Sequence, residues 1–155
     1  MTVGVMLKVF SGLLTPLIGV VTVYIAWQQW LTNRQKLVLD RYDRRLRVYQ
    51  EVMKIIGLIV RDAKAAPDDL LQFRAKVAEA DFLFGLEVMQ YIDLLYKRGL
   101  HLWARSTEYR DFTQAHPPGY DHQKVVDEMQ SHLVWFTEQV GAAKEIFRKY
   151  LDVSK

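Results

Sequence analysis

The chain has 155 residues, of which half are hydrophobic and a quarter are charged, and its formal net charge at pH 7 is +3. This length suffices for one domain with a hydrophobic core and is too short for two, and the composition is typical of a globular chain. The absence of cysteine excludes a disulfide framework and a thiolate metal site.

Residues 9–33 form an uncharged stretch between Lys8 and Arg34. As an α-helix this stretch would be about 37 Å long, more than the roughly 30 Å of a hydrocarbon core. Because backbone polar groups in lipid must bond to one another, the stretch predicts a transmembrane helix, with Trp27 and Trp30 in the interfacial aromatic belt. A buried core helix is the alternative. The stretch is too long for a signal peptide, so we interpret it as an uncleaved anchor.

Basic residues are concentrated directly after the apolar stretch: Arg34, Lys36, Arg41, Arg44, Arg45 and Arg47. Such an excess marks the cytoplasmic side, so we expect a single-pass protein of the inner (cytoplasmic) membrane, with its N-terminus outside and its C-terminus in the cytoplasm. These residues, with Trp27 and Trp30, are the candidate contacts with the membrane surface. A solvated basic face is the alternative, because Asp40 and Asp43 are interleaved with the cations.

Small and polar residues recur along the apolar stretch at spacings of three and four, which places them on one helical face. The predicted members of this helix–helix interface are Ser11, Thr15, Gly19, Thr22, Ala26 and Gln29. Small side chains let two helix backbones approach closely, and hydroxyl groups can bond across the contact. Chance is the alternative explanation, since small residues are common in membrane helices. Pro16 predicts a kink.

Beyond residue 33, apolar residues recur at helical spacing in four segments, and no segment alternates with the period of a β-strand. The segments cover about residues 34–65, 67–84, 86–112 and 121–151. The predicted core positions include Leu39, Tyr42, Leu46, Tyr49, Met53, Ile56, Val60, Leu70, Phe73, Val77, Ala80, Phe84, Val88, Ile92, Leu95, Leu102, Met129, Phe136, Val140, Ala143, Phe147 and Tyr150. We predict an all-α fold, in which a transmembrane anchor (residues 1–33) continues into a cytoplasmic four-helix bundle (residues 34–155).

Arg110 and His116 form an R-x5-H pattern that resembles the signature of HEPN ribonucleases, which are small helical bundles. In such a site an arginine stabilises charge on phosphate while a histidine transfers a proton. However, 11 arginines and 4 histidines give about one such spacing by chance, and His116 precedes Pro117, which disfavours helical geometry. Arg110 and His116 are therefore weak catalytic candidates, and the sequence favours a protein that is not an enzyme.

Glu128 and His132 lie four residues apart and could share a metal ion. Two ligands are too few for a site, and the Glu-x-x-His motif of di-iron bundles has a spacing of three. The chain also contains no glycine-rich phosphate loop. The sequence thus predicts no metal site and no cofactor.

Three strings resemble a group of small single-pass bacterial membrane proteins: WQQWLTNRQKLVLDRYDRRLRVYQEV, EADFLFGLEVMQYIDLLYKRGL and WFTEQVGAAKEIFRKYL. This resemblance extends over residues 27–151 and implies a membrane anchor followed by a four-helix cytoplasmic bundle, but it implies no function. In layout alone, the chain is similar to the CRISPR-associated accessory membrane protein of type VI-B systems. That resemblance implies a membrane helix joined to a HEPN-like bundle that assembles into a pore.

Three functions are compatible with these patterns. The first is a self-associating membrane protein that forms an oligomeric pore in stress or phage defence. The second is a membrane-tethered HEPN-like ribonuclease, and the third is a non-catalytic scaffold that recruits a cytoplasmic protein partner. The expected partners are membrane lipid, further copies of the chain and a cytoplasmic protein; a nucleic-acid partner is not expected.

Overall fold

The computed structural model describes residues 3–111 and 113–152, and the side chains of residues 18–111 and 113–152. This part of the chain contains no β-strand, and its helices are α1 (Val3–Asp62), α2 (Pro67–Lys76), α3 (Ala80–Leu83), α4 (Leu86–Glu108) and α5 (His122–Leu151). The predicted all-α class is confirmed. The chain divides into two compact units, Met1–Arg41 and Tyr42–Lys155.

The second unit is built around one hydrophobic core, to which all five helices contribute. Phe136 and Phe147 on α5 are fully buried, as are Leu95 and Leu102 on α4. One end of this core is aromatic, because the ring of Phe84 lies edge-on to Phe147, with 5.1 Å between the ring centroids. Burial of such side chains is the main stabilising contribution to the unit.

The face of α1 that packs on this core is shifted by one position along the sequence from the predicted face. The buried residues of α1 are Val48, Val52, Ile55, Ile56 and Ile59. Of the predicted set, Ile56 is buried as expected, whereas Tyr49 and Met53 are only partly buried. Leu39 and Val60, also in that set, are exposed. One residue corresponds to a rotation of about 100°. Two apolar stripes lie side by side on α1, and the core buries mainly the one that contains Val48, Val52, Ile55 and Ile59.

The predicted second helix is interrupted after Lys76. The backbone N–H of Ala80 donates to the carbonyl oxygen of Val77 at 2.9 Å, so a turn separates α2 from the single-turn helix α3. The core positions predicted for this segment are all buried, namely Leu70, Phe73, Val77, Ala80 and Phe84. The three-residue spacing of the turn preserves the apolar periodicity across the break.

Helix α5 also departs from its predicted core face at one position. Val140 is 46% exposed, and the neighbouring Gln139 is buried in its place. The Nε2 group of Gln139 donates to the carbonyl oxygen of Trp135 at 3.0 Å. A buried amide is tolerated here because its N–H has a partner.

The helix ends follow local chemistry. Helix α1 ends before Ala63, whose φ of 51° lies in the left-handed region typical of the residue after a helix. Pro67 occupies the first turn of α2, where its missing N–H costs no hydrogen bond. Helix α4 ends at Glu108, earlier than predicted; the predicted end, Phe112, lies outside the described residues. The carboxylate of Asp121 caps α5 by accepting from the backbone N–H of Lys124 at 3.1 Å.

The described side chains of the first unit, from Ile18 to Arg41, are all exposed. In the part of the chain that the structure describes, we find no helix that combines the length and the apolar character needed to cross a bilayer. The predicted anchor includes residues 9–17, and the side chains of those residues, Pro16 among them, lie outside the described part.

Candidate functional site

The R-x5-H pattern lies in the loop between α4 and α5. The guanidinium of Arg110 donates to the carbonyl oxygens of Thr107 at 3.0 Å and Tyr109 at 3.1 Å. These carbonyls belong to the C-terminal end of α4, where backbone acceptors have no partner within the helix. Arg110 therefore acts as a cap for α4.

The same loop is organised around Tyr120. The backbone N–H of Arg110 donates to the Tyr120 hydroxyl at 2.9 Å, and the ring of His116 stacks on the Tyr120 ring with 5.0 Å between centroids. The sequence did not single out Tyr120, and no motif marks it. Because both pattern residues contact Tyr120, their positions are explained by the architecture of the loop.

The polar residue that follows the arginine in the pattern has a structural contact as well. The carboxylate of Asp111 accepts from the backbone N–H of Thr113 at 2.7 Å and from its hydroxyl at 2.5 Å. These hydrogen bonds lower the pKa of Asp111. An aspartate that bonds to the backbone two residues later is a typical turn former.

A second polar cluster lies between α4 and α5. The rings of His101 and His132 are stacked with 6.0 Å between centroids, and an Arg98 nitrogen lies 3.5 Å from His132 Nδ1. Burial lowers the pKa of His132, and the positive charge of Arg98 lowers it further.

The possible metal ligand Glu128 forms an ion pair with Arg105 in the same region. Within the described residues, no group of three or more His, Cys, Asp or Glu side chains is placed to hold a metal ion. Glu128 and His132 thus belong to a polar contact between α4 and α5.

The basic residues that follow the apolar stretch have different surroundings. Arg34, Lys36, Arg41, Arg44 and Arg47 are exposed, and Arg45 is partly buried. The guanidinium of Arg34 lies 4.8 Å from the ring centroid of Trp30, and Arg44 pairs with Glu79 at 3.7 Å. Arg45 bonds within the second unit, to the carbonyl oxygens of Leu83 and Tyr150. The sequence pattern groups Arg45 with the membrane-surface cations and contains no sign of this bonding.

The structure describes four of the six side chains in the predicted helix–helix interface. Gly19, Thr22, Ala26 and Gln29 are exposed, whereas the side chains of Ser11 and Thr15 lie outside the described residues. The Thr22 hydroxyl donates to the carbonyl oxygen of Ile18 at 2.7 Å. A Cβ atom at Gly19 would meet nothing within 4 Å beyond the adjacent turns of its own helix.

Large apolar side chains occupy most of the remaining helix surface in this segment: Ile18, Val20, Val21, Val23, Tyr24, Ile25, Trp27, Trp30 and Leu31. Each is between 38% and 71% exposed. At about 100° per residue, the face from Gly19 to Gln29 covers roughly 80° of the helix circumference, and the large apolar side chains cover most of the remainder. This face and its apolar surroundings are the candidate functional site.

Comparisons of the chain with protein-family models, with curated proteins and with solved structures find no match. The resemblance to small single-pass bacterial membrane proteins therefore stays a prediction.

Proposed function

We propose that the chain is a membrane-anchored helical protein that self-associates through the small-residue face of its N-terminal helix. The exposed apolar side chains between Ile18 and Leu31 carry this proposal. Covering one such side chain gains about 1 kcal/mol, so the nine together gain on the order of 10 kcal/mol. That sum is comparable to the stability of a whole domain, about 5–15 kcal/mol, and it favours a segment covered by lipid.

The charge pattern supports an anchor in the inner membrane with the second unit in the cytoplasm. Exposed cations follow the apolar segment at Arg34, Lys36 and Arg41. Lys and Arg near the end of a membrane helix are retained on the cytoplasmic side. Trp27 and Trp30 lie at the end of the apolar segment that is nearest to these cations, and aromatic rings favour the level of the headgroups.

The small-residue face supports contact with a second copy rather than with lipid. Leucine or valine would serve lipid better, whereas glycine and alanine permit close approach of two backbones. Because a Cβ atom at Gly19 would meet nothing within 4 Å beyond the adjacent turns of its own helix, the space beside it is open to a neighbouring helix.

The similarity in layout to the type VI-B accessory protein suggests a pore for stress or phage defence, and in such a pore the polar residues of this face would line the lumen. The hydroxyl proton of Thr22 already bonds to Ile18, and Gly19 offers no side chain to water. At Gly19 and Thr22, the face is therefore better suited to close helix packing than to a water-filled channel.

The experiment is to express the full chain in bacterial cells and extract the membranes with alkaline carbonate. We expect the chain to stay in the membrane pellet and, after solubilisation in detergent, to form particles of several copies. A reporter enzyme that works only in the cytoplasm should be active when it is fused to the C-terminus. Release by carbonate would contradict the anchor, and a monomer in detergent and in crosslinked membranes would contradict self-association.

A further inference from the structure

Two histidines and a tyrosine lie side by side where the loop after α4 meets the start of α5. The His116 and His122 rings have 6.3 Å between their centroids. The Tyr120 ring lies 5.0 Å from the His116 ring and 6.1 Å from the His122 ring. We define these three residues as the loop cluster. Histidine is the commonest protein ligand of metal ions, so the loop cluster is a candidate metal site.

The separation of the two imidazoles is compatible with one shared metal ion. At a metal–nitrogen distance of about 2.1 Å, two histidines on one ion have ring centroids about 5–6.4 Å apart, depending on the angle at the metal. The observed separation lies at the wide end of this range. His116 is exposed, so its side chain has room to move the roughly 1 Å that a tetrahedral arrangement requires.

The Tyr120 hydroxyl supplies a third donor atom. It lies 3.5 Å from Nδ1 of His122. Two ligand atoms of one tetrahedral ion lie about 3.4 Å apart, so a single ion can contact both atoms with little rearrangement. The backbone N–H of Arg110 donates to this hydroxyl at 2.9 Å and holds it in place. Because the third ligand is a tyrosine, the site needs no third His, Cys, Asp or Glu side chain, and the described part of the chain offers no such group of three.

The other histidine pair of the molecule is less suited to a metal ion. His101 and His132 are nearly as close, with 6.0 Å between ring centroids. There, an Arg98 nitrogen lies 3.5 Å from Nδ1 of His132. A guanidinium only donates, so it competes for the lone pair of that nitrogen and repels a cation. In the loop cluster, the atom beside Nδ1 of His122 is a neutral oxygen instead.

The charges beside the loop cluster are balanced. Hydrogen bonds to Thr113 lower the pKa of Asp111, and the charge of His116 lowers it further, so this carboxylate is ionised and close enough to His116 to interact with it. Arg110 carries the opposite charge and donates to carbonyl oxygens at the end of α4. The ligand is therefore selected by the nitrogen and oxygen donor atoms and their spacing, and not by net charge.

We propose that the loop cluster binds a divalent transition-metal ion of the Zn²⁺, Ni²⁺ or Cu²⁺ type through His116, Tyr120 and His122, with water at the remaining position. His122 is the first residue of α5, so a bound ion would fasten the loop to the start of that helix. This site goes beyond the proposed self-association and does not depend on it.

The test is a calorimetric titration of zinc chloride into the full chain in detergent, purified without a polyhistidine tag and treated with chelator. We expect His116→Gln and His122→Gln each to weaken Zn²⁺ binding at least tenfold, because even contacts outside the ligand set of a metal site contribute about 10–100-fold. His101→Gln and His132→Gln are the matched controls. Each removes one imidazole of the other pair and should leave the Zn²⁺ affinity unchanged.

Electron paramagnetic resonance of bound Cu²⁺ tests the same ligands without any substitution in the loop. In a chain that carries both His101→Gln and His132→Gln, the nitrogen splitting should still report two imidazoles. That measurement decides the matter if a loop substitution disturbs folding, which circular dichroism would show.

Three results would overturn the proposal. The first is absence of Zn²⁺ binding by the wild-type chain. The second is equal affinity of the wild type, His116→Gln and His122→Gln, which would indicate an adventitious ion only. The third is loss of Zn²⁺ binding, or of the two-imidazole signal, when His101 and His132 are replaced, which would place the ion between α4 and α5.

Discussion

The guanidinium of Arg45 donates to the carbonyl oxygen of Leu83 at 3.1 Å and so connects α1 to α3. A second bond, to the carbonyl oxygen of Tyr150 at 3.3 Å, connects the same side chain to α5. Its carbon Cζ also lies 5.9 Å from the ring centroid of Phe84. One cation thus satisfies two carbonyl groups that belong to different helices, and it holds the aromatic end of the core together.

We expect Arg45→Ala to lower the free energy of unfolding by about 2 kcal/mol, because hydrogen bonds from charged groups contribute more than neutral ones. Arg47→Ala is the control, since Arg47 is exposed, and it should change stability by less than about 0.5 kcal/mol. Urea unfolding of the full chain in detergent, followed by circular dichroism, measures both. Equal effects of the two substitutions would show that the bonds of Arg45 contribute nothing.

The role of Arg45 illustrates what the sequence could and could not predict. Helix type and core positions on α2, α4 and most of α5 follow from apolar periodicity, which is a local property. On α1, two apolar stripes compete, and only tertiary packing decides between them. Arg45 lies three residues before Val48, on the stripe that packing selects. Its partners are backbone carbonyls distant in sequence, which no pattern of residue types reveals.

The candidate site also combines features that the sequence predicts with features that it does not. The order of small and large side chains along α1 is readable from the sequence, because it needs only helix geometry. The Arg110 and His116 pattern contained no information about Tyr120, since a spacing does not specify which atoms meet in a loop.

We expect Gly99→Ala to destabilise the second unit. A Cβ atom at this position would lie 2.6 Å from Cδ2 of Leu70, which is buried in the core. Overpacking of this kind costs about 1–3 kcal/mol, which exceeds the gain of about 1 kcal/mol from replacing glycine in a helix.

Gly57→Ala is the matched control for Gly99→Ala. Gly57 is also helical, and a Cβ atom there would meet nothing within 4 Å. This substitution should therefore stabilise the chain by about 0.5–1 kcal/mol. The midpoint of denaturant unfolding compares the two variants, and a gain in stability for Gly99→Ala would contradict the close approach of α4 to Leu70.

In the turn after α1, replacing alanine with glycine should stabilise the chain. Ala63 has a φ of 51°, which costs a residue with a Cβ atom about 1–2 kcal/mol. Glycine removes this cost but adds flexibility to the unfolded chain, so Ala63→Gly should gain about 0.5 kcal/mol. Thermal unfolding should show a higher midpoint for Ala63→Gly than for Ala63→Ser, which retains the Cβ atom. A lower midpoint for Ala63→Gly would contradict the left-handed conformation.

The histidine pair predicts a dependence of stability on pH. Burial and Arg98 lower the pKa of His132 in the folded state below its ordinary value of 6.5. The unfolded chain therefore binds a proton at this group more readily than the folded chain does, and stability falls as the pH decreases below about 6.5. His132→Gln should reduce this loss between about pH 7 and pH 5. The control is His116→Gln, on the exposed loop, and identical pH profiles for wild type and His132→Gln would contradict the prediction.

Substitution of Gly19 is the most direct test of the small-residue face. A Cβ atom at Gly19 would meet nothing within 4 Å beyond the adjacent turns of its own helix, so Gly19→Leu should leave the helix and membrane insertion intact. A leucine there would hold two neighbouring backbones apart, and helix contacts of this type contribute about 1–2 kcal/mol each, so the oligomer should weaken roughly tenfold. Val20→Leu is the matched control, because Val20 is the next residue, lies at nearly the same depth and is outside the face. Crosslinking in native membranes should show less oligomer for Gly19→Leu and the wild-type amount for Val20→Leu. Equal yields from all three chains would exclude this face as the interface.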